Sequence, residues 1–266
     1  MSSLKVTVDT NVLTGVVTPD WCKPHADHAA CIAAHNGVKF GRIAGYFSES
    51  VVTLDVLRKI DKVAVVGGAK IASESRSDGP YRVNISVGTR WPSAPINPIS
   101  INLISLAQSL GMRALIGPRH LGNSLPAQRG VDLIYEKLVF PADIDRANKI
   151  NEVDLALAQR GLGRSRAVAL GVEWSKRDGE SGETWMQGLG RARNETERRT
   201  VHRAVNEWAD GDAIAAHVGY GNDFFCTHDK GSGSGRQSAL HPSNRLWLQS
   251  AYGVEFVTVF ELAGRL

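Results

Sequence analysis

The sequence predicts an α/β fold, a three-layer α/β/α sandwich around a central, mostly parallel sheet. Three observations carry this expectation. Strand-like and helix-like stretches alternate at both ends of the chain, acidic residues follow the strand candidates near each end, and 42% hydrophobic composition over 266 residues supplies a sizeable core.

Residues 4 to 8, "LKVTV", form a β-rich run that ends in Asp9, Thr10 and Asn11. Residues 20 to 35 read as a helix opened by Asp20 and closed near Gly37. A strand candidate at 38 to 44 leads into "SESVVTLDVLRKI", where Ser48 caps a helix burying Val51, Val52, Leu54, Val56 and Leu57, with Glu49 in its first turn. Between 61 and 190 the pattern weakens. "YRVNISVG" reads as a strand and "SINLISLAQSLGM" as a helix running into the strand "RALIG", while proline and glycine punctuate 79 to 98 and 117 to 130. From 191 the alternation sharpens: a charged helix over 192 to 219, the strand "DFFCTHD", the helix "SNRLWLQSAYG" and a closing strand "VEFVTVFEL". In such sheets ligands bind outside the carboxyl ends of the strands. Asp9 and Asp229 each follow a strand, so both are expected at one sheet edge.

The formal charge of +4 and a sequence pI near 9.0 fit a polyanionic partner without requiring one. Three cysteines in a chain of this size point to a reducing, cytoplasmic setting. The N-terminus lacks a signal-peptide core, and no apolar run reaches the ~18 residues of a membrane span.

Three stretches, "VTVDTNVL" (6 to 13), "GDAIAAHVG" (211 to 219) and "FFCTHD" (224 to 229), resemble the most recognisable motifs of the PIN-domain nucleases. That family is a metal-dependent ribonuclease fold best known from the toxins of toxin–antitoxin pairs. The resemblance covers about residues 4 to 57 and 200 to 262, and implies a single PIN-like domain over 1 to 266 with an insertion at 61 to 190. It further implies carboxylates that bind Mg²⁺ or Mn²⁺. Asp9 matches the acid after the first strand, Glu49 the helical acid, Asp212 the acid opening the penultimate helix and Asp229 the acid of the strand-Thr-x-Asp motif. These four are the expected catalytic and metal-binding residues, and their carboxylates are expected to meet in one pocket.

Elementary chemistry supports the match. Phosphodiester hydrolysis needs a nucleophilic water, a stabilised pentavalent centre and a neutralised leaving oxygen, and hard cations held by carboxylates serve all three. Each acid has a plainer role open to it. Asp9 can form an Asx turn, Glu49 can complement a helix dipole, and Asp212 can cap a helix with Asp210 as ligand instead. Asp55 is a further substitute for Glu49. Asn11 is placed to bond Asp9, and Thr227 to orient Asp229. Asp223 opens the strand that Asp229 ends, which puts it on the far edge.

Lys230 and Arg236 bracket the loop "KGSGSGR" and are candidate RNA contacts, as are Arg199 and Arg203 on the charged helix. Glu195 and Glu197 interleave with these arginines, as on a salt-bridged, solvated face. Cys22, His25, His28 and Cys31 recur every three residues and invite a zinc reading. On one helix each such step turns the side chain by about 300°, which spreads the four over half the circumference. The run therefore reads as a helix face. Cys226 reads as core.

The expected function is metal-dependent endoribonuclease, as a toxin with an antitoxin partner or as a standalone nuclease, with RNA as substrate and the 61 to 190 stretch free to shape substrate choice or a dimer. The alternative is a non-catalytic RNA-binding or scaffold protein, in which one acid would be expected to be lost. An aspartyl phosphatase requires a second Asp two residues after the first, and this chain has Asn11 there.

Overall fold

The computed structural model describes residues 3–55, 57, 59–77, 83–90, 92, 98–118, 132–178, 182–231 and 235–266. Five parallel strands form the central sheet: β1 (Leu4–Val8), β2 (Ile43–Ser48), β5 (Arg113–Leu115), β6 (Phe224–Cys226) and β7 (Glu255–Val257). Their order is β5-β2-β1-β6-β7. The first strand therefore lies in the middle, pairing Thr7 with Tyr46 on one side and with Phe225 on the other. The chain winds outward in one direction and then in the other, so the topological switch point falls between β1 and β6. A separate antiparallel hairpin, β3 (Lys70–Ser77) with β4 (Val83–Arg90), stands outside this sheet.

Strand residues alternate between two helical layers. Val6, Val8, Phe224 and Cys226 join one cluster with α1 (Thr10–Val17), α2 (His28–Lys39), α4 (Pro98–Ser109) and α10 (Val259–Ala263). Phe225 joins the other with α5 (Ala142–Gln159), α9 (Pro242–Tyr252) and the C-terminal half of α8 (Glu195–Tyr220). Both faces of the central strands are covered, which is why they are short and almost wholly apolar. A second core lies beside the sandwich. There α3 (Lys59–Gly67), α6 (Ser165–Asp178) and α7 (Trp185–Leu189) enclose Trp174, Met186 and Leu189 with Val201, Val205 and Trp208 of α8.

Helix α8 belongs to both cores. Its 26 residues span about 39 Å. The Asn194 side chain accepts from the Glu197 N–H at 2.9 Å, and Gly221 closes it in the left-handed conformation at φ 61°.

Several boundaries differ from the sequence reading, each for a local reason. Pro24 cannot donate within a helix, so the 20 to 35 stretch breaks into a 3-10 turn, Pro19–Cys22, and α2 beginning at His28. Ala30, Cys31, Ala34 and Val38 continue one buried stripe, which carries α2 to Lys39 and moves the strand expected at 38 to 44 to Ile43–Ser48. Ser48 is then the last strand residue, and Val51–Asp55 forms a π-helical turn. The closing strand stops at Val257 because Thr258 and Glu261 form a capping box that starts α10. The expected insertion is partly integral: β5, α4 and α5 all come from 61 to 190 and complete the sandwich.

His217 of α8 is fully buried over the sheet, with Nδ1 2.9 Å from Thr7 Oγ1 and its ring edge-on to Phe225. Burial pushes its pKa down from 6.5 to about 3. The folded chain thus keeps this ring neutral where the unfolded chain protonates it. The resulting stability is complete above pH 6.5 and is lost as pH falls toward about 3, at up to about 1.4 kcal/mol per pH unit. Denaturant titrations of the wild type and of His217→Gln between pH 7 and 4 should show the variant losing less stability on acidification.

Candidate functional site

Asp9, Glu49 and Asp229 all lie at the carboxyl edge of the sheet, directly after β1, directly after β2 and three residues after β6. Asp9 caps α1, accepting the Thr10 N–H on Oδ1 at 2.7 Å, so the Asx-turn role and the site position coincide. Its Oδ2 accepts from Asn11 Nδ2 at 2.9 Å and from the Thr227 hydroxyl at 2.6 Å. The same buried Thr227 oxygen receives the Asp229 N–H at 3.0 Å and Asn11 Nδ2 at 3.3 Å. One hydroxyl therefore holds two acidic segments together across the switch point, and Asn11 braces it. Asn11 also accepts the His228 N–H at 3.1 Å.

Asp229 Oδ1 accepts the Gly231 N–H at 2.7 Å, which folds the following loop back over it. Arg245 of α9 donates to the Asp229 carbonyl and is a cation facing both Asp229 and Asp9. Burial pulls the guanidinium pKa down while these two carboxylates and Glu261 pull it up.

The other two acids form a second pair. Glu49 Oε1 accepts the Gly117 N–H at 2.9 Å and Oε2 the Tyr135 hydroxyl at 3.1 Å. A Cβ built on Gly117 would lie 3.7 Å from Asp212 Cβ and 3.9 Å from Glu49 Oε1, so both acids border one small residue. Asp212 is buried within α8 rather than opening a helix, and its pKa is pushed well above the ordinary range. Burial is the main cause, with repulsion from Asp154 and Glu49 behind it and Arg164 opposing. Asp154 of α5 is itself buried and paired to Arg164 Nε at 3.1 Å.

Asp9 and Asp229 share the Thr227 side of the edge, and Glu49 and Asp212 the Gly117 side. Among the described residues no three of their carboxylates offer ligand atoms that all lie within 4.8 Å of one another. The geometric reason is strand order. β1 separates β2 from β6, so Glu49 and Asp229 emerge two strand spacings apart, roughly 10 Å. Asp223 accepts the Lys5 N–H at the opposite edge, outside the site.

Of the basic candidates, Lys230 follows Asp229 directly and is exposed, as is Arg236 beyond residues 232–234, which lie outside the described residues. Arg199 pairs with Glu195 at 3.2 Å and Arg203 lies one turn on. They precede Asp212 on α8 by about 20 and 14 Å of helix. With Arg198, His202 and Glu195 they line a cleft of about 970 Å³. The interleaved charges do form ion pairs, with Arg177 to Glu197 at 2.7 Å and Arg193 to Asp178.

Sequence reasoning missed Asp154, Arg164, Tyr135 and Arg245. A signal existed for Asp154. Ile150, Val153 and Leu157 mark the buried stripe of α5, and an acid at 154 falls on that stripe, where a charge needs a reason. Comparison of the chain with protein families, with curated proteins and with solved structures found no match.

Replacing Asp212 by Asn removes a buried carboxylate repelled by two neighbours. In a chelator, the Asp212→Asn protein should unfold at an equal or higher temperature than the wild type, by a few °C. Because the folded-state pKa is raised, the gap should widen as pH climbs from 4 toward 8. A melting temperature several degrees below wild type across that range would show that the carboxylate stabilises the fold.

Proposed function

We propose that the chain is a divalent-metal-dependent endoribonuclease that hydrolyses RNA phosphodiester bonds at the carboxyl edge of its central sheet. The observation that carries this is Asp9 and Asp229, held across the β1–β6 switch point by Thr227, with Glu49 and Asp212 alongside. A crevice at a switch point is where open parallel sheets take ligands. The fold and the motif order around Asp9, Asp212 and Asp229 are in keeping with the resemblance drawn from the sequence.

The donor set suits Mg²⁺ or Mn²⁺. It consists of carboxylate oxygens, which hard cations prefer, and Asp212 with Asp154 and Glu49 forms a repulsive group that a cation would relieve. Asp9 with Asp229, and Glu49 with Asp212, are the residues that would hold metal along this edge. When bound, such a metal supplies Lewis-acid stabilisation of the phosphoryl oxygens and a nucleophilic hydroxide near neutral pH. The protein's own groups position and balance charge. Thr227 and Asn11 fix the Asp9 carboxylate, Tyr135 and the Gly117 N–H fix that of Glu49, and Arg245 offsets charge beside Asp9 and Asp229. Lys230 and Arg236 flank the loop beside Asp229 and are suited to a phosphate backbone. The motif-bearing edge retains all four acids, which favours an enzyme over a non-catalytic RNA binder.

Purified protein should cleave single-stranded RNA only with Mg²⁺ or Mn²⁺ present, and excess EDTA should abolish the reaction. Asp9→Asn and Asp229→Asn should each lower kcat by at least about a hundredfold while the melting temperature holds or rises. Cleavage that persists in EDTA, or that survives both substitutions, would overturn the proposal.

A further inference from the structure

The break in the 20 to 35 stretch removes the geometric objection to a metal site there. Cys22 closes the 3-10 turn and Cys31 lies in the first turns of α2, so the two are no longer strung along one helix. Their sulfurs meet at 3.2 Å, both buried. A carboxylate oxygen of Asp27 completes a group whose ligand atoms all lie within 4.8 Å of one another. Gly15 of α1 faces the pair: a Cβ there would come within 2.7 and 2.9 Å of the two sulfurs, so this space is kept by the missing side chain.

We propose that Cys22, Asp27 and Cys31 bind one zinc ion, at a site separate from the acids at the sheet edge. Three observations select it. The first is the donor set: two thiols and one carboxylate make a soft-to-borderline site that suits Zn²⁺ and not Mg²⁺. The second is an orphaned oxygen. Asp27 Oδ2 pairs with His228 Nε2 at 3.2 Å, while Oδ1 is buried with no hydrogen-bond partner, a costly state for a carboxylate that a metal bond would end. A histidine held by the second oxygen is the kind of outer partner that orients a metal-binding carboxylate. The third is spacing. Two sulfurs on a tetrahedral zinc stand ~3.8 Å apart, so the observed contact needs to open by about half an ångström, whereas a disulfide at ~2.05 Å would need it to close by more than one.

The fourth position faces a cavity of about 300 Å³ lined by Asn11, His25 and His228, with room for water. Zinc uptake balances by releasing one proton from each thiol. The metal would tie the Pro19–Cys22 turn to α2 and, through Asp27 and His228, to the segment that carries Thr227 and Asp229. Zinc held there would steady the wall of the edge crevice, with its fourth position left open to water.

The full-length chain, reduced and freed of metal, should take up one equivalent of Zn²⁺ against a chromophoric chelator with millimolar Mg²⁺ present, and should release two protons in weak buffer. Co²⁺ in its place should give a thiolate-to-metal charge-transfer band. Cys22→Ser and Cys31→Ser should abolish uptake, Asp27→Asn should weaken it at least tenfold, and Cys226→Ser should leave it unchanged. Absence of the Co²⁺ charge-transfer band in the wild type overturns the proposal without any variant having to fold. So does undiminished uptake by the Cys22→Ser, Cys31→Ser double variant, or a Cys22–Cys31 disulfide in protein purified under reducing conditions. Asp9→Asn and Asp229→Asn should bind zinc like the wild type, which separates this site from the nuclease reading.

Discussion

The pairing of β1 on both of its edges is the constraint from which the rest of the structure follows. A strand hydrogen-bonded to β2 on one side and β6 on the other, and covered on both faces, must consist of residues that tolerate complete burial; Val6, Thr7 and Val8 do. Its first polar residue beyond the ladder is Asp9, which leaves the sheet where the winding direction reverses. There the Asp9 N–H still reaches the Cys226 carbonyl at 3.0 Å, extending the ladder by one bond and bringing the ends of β1 and β6 into step. Thr227 is the next residue on the neighbouring strand, and its hydroxyl is buried, so it needs partners. Asp9, Asn11 and the Asp229 amide are the ones within reach.

The two acid pairs tolerate their charge by different means. Asp9 and Asp229 are half-buried, take three and one hydrogen bonds respectively from the groups described above, and face a guanidinium. These contacts offset part of the cost of taking two charges out of water. Asp212 has burial against it and acids nearby, and the compensating Arg164 is already engaged with Asp154. A carboxylate so placed is relieved either by a proton or by a cation. The Glu49–Asp212 side of the edge is therefore where the acids repel one another most and where burial most favours a proton on Asp212.

What was legible in the sequence were features encoded by neighbours in the chain. The Asp9 turn, the Thr227 and Asn11 brackets, the long charged helix and the sheet's parallel character all follow from local patterns of burial, capping and alternation. Non-local features were hidden. That Tyr135 would hold Glu49 depends on an isolated bridge between Ala114 and Tyr135, far beyond any local pattern. That the acids would stand as pairs depends on strand order, which local periodicity does not determine. The single helix expected over 20 to 35 breaks for a local reason that is in view: Pro24 lies between Cys22 and His25, and a proline inside a helix loses a backbone bond, although Cys31 still lies on the buried face of α2. The region 61 to 190 read as an insertion because the family resemblance leaves it uncovered; that its strand "RALIG" and helix "SINLISLAQSLGM" join the central sandwich as β5 and α4 depends on contacts distant in the chain.

Helix α8 has a consequence for how this chain can be divided. Its first half supplies Val201, Val205 and Trp208 to one core and its second half Ile214 and Ala215 to the other, with no break between them. Removing α3, α6 and α7 to obtain a smaller unit would leave the large ring of Trp208 without cover, along a helix that must stay intact to carry Asp212. Any minimal version would have to rewrite the first half of α8 with polar side chains. The accessory helices are thus attached to the sandwich by a shared rod, and modularity ends where that rod begins.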